Sequence, residues 1–393
     1  MAKIILEKGR EQRILPGHPW VYRTEIARIA GTARPGDIVE VEDWRGKFVG
    51  KGFFNSSSMI AVRLLTQKDE EINADFWRQR IEQAWKYRQT VLSEANTDSF
   101  RVIFGEADFL PGLIVDKFAS CLAVQTLALG IDRVKNLLAE ILDEIIKPEA
   151  IYERNDAPVR ELEGLELRRG FLKGKLEPPL VIISENGLQI CVNIAEGQKT
   201  GYFLDQRENR AAIRPLVKGA RVLDCFCHTG GFSLHAAKYQ AREVIGLDIS
   251  EEAIKMAEHN ARLNGLENVC TFKTANVFDA LRELDKSKEK FDAVILDPPA
   301  FVKSRKALEG AVRGYKEINL RALRILTPGG FLVTCSCSYH MPEELFIKTV
   351  ISASQDVRRR IRIIERRGQP PDHPWLAGYD ESKYLKCLII QAL

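Results

Sequence analysis

From about residue 188 the chain alternates apolar runs of strand length with helix-length segments, unit after unit. "ARVLDCFC" precedes "GGFSLHAAKY", "EVIGLDIS" precedes "EEAIKMAEHNARLNG", and "CTFKTAN" precedes "VFDALREL". "FDAVILDPP" leads into a long helical stretch, and "GGFLVTCSC" into "PEELFIKTVISAS". Parallel strands need crossover helices, and those helices cover both faces of the sheet. The pattern therefore predicts a doubly wound α/β fold with a Rossmann-like parallel sheet. "YLKCLIIQAL" is expected to close that sheet as an edge strand.

In an open parallel sheet, ligands bind beyond the carboxyl ends of the strands. The polar residues there are Asp224, the turn from Cys227 through Thr229, Gly230 and Gly231, then Asp248, Asn276 and Asp297. A glycine pair that opens a helix lets backbone approach a ligand closely, although such a pair is commonly only a tight turn. Asp248 ends the second strand, where a carboxylate can accept both hydroxyls of a ribose. Its plainer role would be to cap "SEEAIKMAEHN", which Ser250 can do instead. The turn D-C-F-C-H-T-G-G lacks the G-x-G-x-x-G of dinucleotide folds. An acidic Asp224 there repels a pyrophosphate and suits an ammonium. S-adenosylmethionine, with an ammonium, a ribose and no phosphate, is the expected cofactor.

These residues carry a family resemblance. "VLDCFCHTGGFSLHAA", "GLDIS", "ILDPPAF" and "TCSCS" resemble motifs of class I S-adenosylmethionine-dependent methyltransferases acting on RNA. "LEKGREQRILPGHPWVY", "GEADFLPGLIVDKF" and "AEGQKTGYFLDQRENR" resemble the bacterial large-subunit (23S) ribosomal RNA cytosine-5 methyltransferase family. The resemblance implies a multidomain protein: an N-terminal PUA RNA-binding β-barrel, a central α+β domain and a C-terminal Rossmann-like class I methyltransferase. It adds Lys199, Gly201 and Asp205 of "GQKTGYFLDQR" to the cofactor-binding residues, and places Asn276 beside the adenine. It assigns Cys337 as nucleophile and Asp297, also beside the cofactor, as the carboxylate that orients the base.

Cytosine C5 is a poor nucleophile, and a thiolate adding to C6 makes C5 enamine-like and able to take a methyl group. Cys335, deeper in its strand, reads as core packing. Cys337 is followed by "SYHMPEEL", and a thiol near a helix start is acidified. Metal ligation by Cys225, Cys227, His228, Cys335 and Cys337 is disfavoured because C-x-C pairs lack zinc-site spacing. Many relatives carry a second cysteine in the stretch that reads "DPPAF" here, so the base that removes the C5 proton stays unassigned. Pro298, Pro299 and Phe301 are expected to meet the substrate, with the Phe301 ring stacking on an extruded base. Guanine N2 or uridine C5 methylation, a non-catalytic RNA-binding assembly factor and a nicotinamide-dependent oxidoreductase are the competing readings.

Upstream, "PGHPWV", "ARPGDIVEVED", "RGKFVGKGFFN" and "MIAVRLLT" alternate turn signals with β-rich runs. Residues 1–68 read as the RNA-gripping module, 69–187 as a linker helix with the central domain, and 188–393 as the catalytic domain. Through Lys68 there are twelve Lys or Arg against seven Asp or Glu, and a second basic cluster, "RRRIRIIERR", lies at 358–367. Net charge over the 393 residues is only +4; charge runs are usually solvated faces, but basic patches are also how phosphate backbones are held. "GIDRVKNLLAEILDEI" is expected to be one amphipathic helix, with Asp132 available as a cap. The opening "MAKIILEKGREQR" is too short an apolar run for a signal peptide, and no window is apolar enough for a membrane span. The eight cysteines sit in apolar runs without a disulfide framework. A cytoplasmic protein working on large-subunit ribosomal RNA, as a monomer or homodimer, is the expectation.

Overall fold

The computed structural model describes residues 1–301 and 308–393. It divides into two compact units. The first contains Met1–Ile183, Val192–Leu204 and Pro371–Ser382, and the second Ser184–Cys191, Asp205–Pro370 and Lys383–Leu393. Among the described residues no helix is long and apolar enough to cross a membrane.

The first unit opens with a six-stranded sheet, ordered Trp20–Tyr22, Ile60–Thr66, Phe48–Phe54, Ile38–Glu42, Lys3–Leu6, Ile26–Ala30. Ile4, Leu6, Val21, Val39, Val41 and Val62 fill its interior. The glycines of "FVGKGFF" are steric necessities there. A Cβ on Gly50 would lie 2.6 Å from the Thr66 carbonyl oxygen, and one on Gly52 would lie 2.3 Å from that of Arg63. The helix Ala74–Val91 follows, capped by Asn73 and burying Phe76, Trp77, Ile81 and Ala84. A five-stranded sheet comes next, with the strands Phe100–Phe104, Leu113–Phe118, Cys121–Thr126, Ala150–Asn155 and Arg168–Lys173 lying side by side in chain order. The one expected amphipathic helix is two, Leu129–Arg133 and Lys135–Ile146. Asp132 lies inside the first and caps neither. Its carboxylate instead accepts from Thr126 Oγ1 and from the buried Arg160 guanidinium.

Within this unit, paired charges join the two sheets. Arg63 of the first reaches Glu106 and Glu163, each at 3.0 Å. The segment Pro371–Ser382, far away in sequence, packs here too: Tyr379 lies edge-on to Trp20, 5.0 Å between centroids, and the Asp372 carbonyl accepts from the fully buried Arg88.

The second unit holds a seven-stranded sheet, ordered Cys270–Thr274, Glu243–Asp248, Arg221–Cys225, Phe291–Leu296, Leu326–Ser336, Lys386–Ala392, Ile361–Arg367. The first five strands are parallel, and Lys386–Ala392 runs antiparallel to both its neighbours. Here the expectation fails: Lys386–Ala392 lies inside the sheet, and the basic "IRIIERR" forms the edge. Lys386–Ala392 is buried along nearly its whole length, as a strand covered on both faces must be. Ile361–Arg367 alternates half-buried and exposed residues, an edge pattern. Much of the basic cluster is also engaged within this unit. Arg359 donates to the carbonyls of Leu323, Leu326 and Thr327, Arg366 reaches Glu343 and Glu344, and Arg367 reaches Glu365. The order of strands reverses between Arg221–Cys225 and Phe291–Leu296, which puts the ligand crevice at the ends of those two strands.

Candidate active site

Asp224 lies next to the end of the first of those strands and Asp297 just past the end of the second. Asp224 is fully buried; one carboxylate oxygen accepts from Ser233 Oγ at 2.6 Å and the other, Oδ1, has no hydrogen-bond partner. Burial, together with the carboxylates of Asp297 and Asp248, raises its pKa to about 7. A buried carboxylate oxygen left without a donor is a strong acceptor for a charged donor such as an ammonium.

The turn after Cys225 is bent to serve this place. Phe226, His228 and Gly230 all have positive φ, of 64°, 50° and 86°. Left-handed backbone at two non-glycine residues is costly and persists only where surroundings impose it. Part of that imposition comes from Asp248, whose two oxygens accept from the backbone N–H groups of His228 and Ser250, each at 2.9 Å. Ser250 caps the helix Glu251–Leu263 through Ala253 N–H, leaving Asp248 for the turn and a ligand. Gly230 precedes the helix Gly231–Lys238, and a Cβ on it would press to 3.2 Å on Ala257 and Phe272. Thr229 is held by its carbonyl, which accepts from Asn260 Nδ2. Asn276 Oδ1 caps the helix Val277–Lys286 by accepting from Phe278 and Asp279 N–H, so the side chain expected beside an adenine already serves the backbone.

Asp297 Oδ1 accepts from Gln206 Nε2 at 2.8 Å, and Gln206 Oε1 in turn accepts from Asn209. The neighbouring Asp205 bonds the hydroxyl of Tyr384 at 2.5 Å. Lys199 and Gly201 belong to the first unit, where the Lys199 ammonium lies 4.4 Å from the Phe203 ring centroid and Gly201 packs on Val192. Of the substrate-facing candidates, Pro298 is buried, Pro299 exposed and Phe301 half-buried. The Phe301 ring packs 4.7 Å from that of Tyr315, with Phe278 and Phe226 beyond it.

Seven of the eight cysteines are buried, and Cys337 alone is half-exposed. Cys335 sits opposite Cys387 in the sheet register, and that thiol together with burial pushes Cys335 well above the ordinary thiol range. Burial also lifts Cys225 and Cys227 well above it, and Cys270 to about 12. Such thiols are inert. Cys337 comes just after the end of the strand Leu326–Ser336, with Sγ 4.0 Å from the carbonyl oxygen of Pro298. Its flanking serines point to one hydroxyl: Ser336 Oγ donates to Tyr315 OH at 2.9 Å, and Ser338 Oγ lies 3.1 Å from the same atom. The following helix begins only at Glu343, after Pro342, and its first turn carries Glu343 and Glu344. Among the described residues no three His, Cys, Asp or Glu side chains gather as a metal requires.

Sequence reasoning passed over Gln206, Tyr315 and Lys386. Gln206 was adjacent to a chosen residue. Lys386 stood out as a lysine opening the apolar run "KCLII". Tyr315, in a long helix, carried no local signal.

A PUA-like domain model matches residues 4–67, and a model of S-adenosylmethionine-dependent methyltransferases matches residues 172–391. A protein of Erwinia tasmaniensis named ribosomal RNA large subunit methyltransferase I is 42% identical over 387 residues, 98% of each chain. The fold matches a Streptococcus mutans protein regarded as an S-adenosylmethionine-dependent methyltransferase (TM-score 0.85, 19% identity, all of both chains). It also matches a protein regarded as a methyltransferase and solved with S-adenosylhomocysteine bound (TM-score 0.86, 18% identity, all of both chains). The chain belongs to the ribosomal RNA large subunit methyltransferase I family, S-adenosylmethionine-dependent enzymes with an N-terminal PUA-like domain.

Proposed function

We propose that the protein methylates C5 of a cytosine in large-subunit ribosomal RNA through a transient covalent bond from Cys337 to C6. The observation that carries this reading is the half-exposed Cys337 thiol, 4.0 Å from the carbonyl of the Asp-Pro-Pro turn that presents Asp297. Bound S-adenosylmethionine supplies the methyl group. Asp224 would hold its ammonium and Asp248 its ribose hydroxyls, and the turn Cys227–Gly231 with Asn276, Asp297 and Asp205 would enclose it.

The Cys337 thiolate adds to C6, forming an S–C6 bond and moving ring electrons toward C5. Asp297, kept in place by Gln206, meets the N3 and amino edge of the cytosine. Once C5 carries the methyl group, its proton passes to water, the C–H electron pair re-forms the C5–C6 double bond, and Sγ leaves with the S–C6 pair as a thiolate. Pro298, Pro299 and Phe301 line the approach of the base. Residues 1–68 grip RNA, 69–187 form the linker helix and central domain, and 188–393 carry the chemistry. In the first of these, Trp44 is exposed, with the Arg45 guanidinium 4.5 Å and the Lys8 ammonium 5.3 Å from its ring centroid, a surface suited to stacked bases and phosphates. A cytoplasmic enzyme, assembled as a homodimer, completes the reading; sedimentation of the full chain tests the assembly.

RNA containing 5-fluorocytosine should trap the adduct, because fluorine at C5 cannot leave as a proton does. A wild-type protein that never forms it, or a Cys337→Ala variant that still does, would end this proposal.

A further inference from the structure

Lys386 opens a strand whose other residues are mostly apolar, and it is 5% exposed. Burying an ammonium is costly unless it meets an opposite charge or a full set of acceptors. Two of its donors go to neutral backbone carbonyls, those of Ser338 at 2.6 Å and Tyr384 at 2.7 Å. Those bonds satisfy hydrogens but neutralise no charge.

The position of Lys386 selects its counter-charge. In the antiparallel register its Cα lies opposite Ser336, the residue before Cys337. Its ammonium is bonded to the carbonyl of Ser338, the residue after Cys337. The lysine thus brackets the thiol from both sides. The helix Glu343–Asp356, by contrast, starts six residues beyond Cys337 with two glutamates in its first turn, a poor source of positive potential for a thiol.

We propose that Lys386 is the cation that keeps Cys337 as a thiolate, acting as a positioning residue that forms and breaks no bond itself. The inference rests on reading Cys337 as the nucleophile. Burial lowers Lys386 to about 8 while Cys337 pulls it back up, so the ammonium persists at neutral pH in the company of the sulfur. Glu343 and Lys383 face the lysine, and the Tyr315 hydroxyl lies beside the cysteine. Asp297 acts on the adjacent Cys335. Glu343 is already shared between Arg366 at 2.9 Å and Lys383 at 3.3 Å. The Tyr315 hydroxyl is held by Ser336 and Ser338, and burial keeps it protonated. Of the two acidic groups that raise Lys386, Glu343 is thus committed elsewhere, and the Cys337 sulfur is the other.

The test is iodoacetamide alkylation of the full-length protein, followed at the Cys337 peptide by mass spectrometry from about pH 6 to about pH 10, where thiols titrate. Wild type should show a midpoint below the ordinary thiol value of about 8.5. Lys386→Met should raise it by about a unit, slowing alkylation at neutral pH roughly tenfold, and Lys386→Arg should restore most of the rate. Equal midpoints in wild type and Lys386→Met would overturn the proposal. Should the Met variant not fold, wild type decides alone: the ultraviolet thiolate absorbance lost in Cys337→Ser must titrate below about 8.5, and a step at or above that value overturns it. An RNA adduct formed by a Cys337 of ordinary acidity would sink this inference and leave the proposed function standing.

Discussion

Cys335 and Cys337 are two residues apart, yet one step along the strand separates the interior of the sheet from its rim. At Cys335 the strand is still paired, with Cys387 directly opposite and no exposed surface. At Cys337 the strand has ended, its neighbours Ser336 and Ser338 are tied to Tyr315, and the thiol is half-exposed. The carboxylates repeat the lesson. Each oxygen of Asp248 already accepts from a backbone N–H and so shapes the turn beside the ligand, whereas Asp224 keeps one buried oxygen without a partner, an acceptor for a charged donor. Residue type does not tell such groups apart; what the neighbours have already satisfied does.

The sharpest way to break the comparison is at the rim. Cys337→Ala should lower methyl transfer by on the order of a thousandfold or more, with unfolding unchanged, since it removes a covalent step rather than a contact. A variant with substantial activity would put the chemistry elsewhere.

Asp224→Asn should weaken S-adenosylmethionine binding by roughly ten- to a hundredfold in calorimetry, the loss of one charge-assisted hydrogen bond. The same residue has a pH signature. Its carboxyl rises from 3.8 to about 7 on folding, so the folded chain holds a proton that the unfolded chain has released. The stability it contributes is fully present below about 4 and is lost as pH rises through about 7. Denaturant unfolding without cofactor should show this slope in wild type and lose it in Asp224→Asn; a persistent slope would assign it to another group.

Inside the sheet, Cys335→Ser should leave the rate per folded molecule near wild type. It should cost about 1–3 kcal/mol in denaturant unfolding, by burying a hydroxyl where a thiol stood. A loss of adduct formation instead would blur the two thiols. The smallest effect is expected from Tyr315→Phe, which keeps the ring but releases Ser336 and Ser338. About 1 kcal/mol of stability should go, and the turnover rate should fall more than cofactor affinity does.

Much of the second unit was legible because its signals are local. Strand–helix alternation, Ser250 as a cap, and acids at strand ends are written in runs of a few residues. The edge strand was misread because "YLKCLIIQAL" and "RIRIIERR" are both β-like, and which of them lies inside depends on what covers their faces. The two-helix break around Val134 was missed for a similar reason. Asp132 looks like a cap in sequence, but the buried Arg160 claims it.

By itself the sequence determined the doubly wound architecture, the family, and the set of acids and thiols available at the crevice, since periodicity and motif spacing are properties of neighbours along the chain. Only the tertiary structure decided which thiol is half-exposed, which carboxylate oxygen goes unanswered, and that Gln206 and Lys386 stand beside Asp297 and Cys337. Those are outcomes of burial and pairing between segments far apart along the chain, as Gln206 and Asp297 are at 91 residues, and no local pattern encodes them.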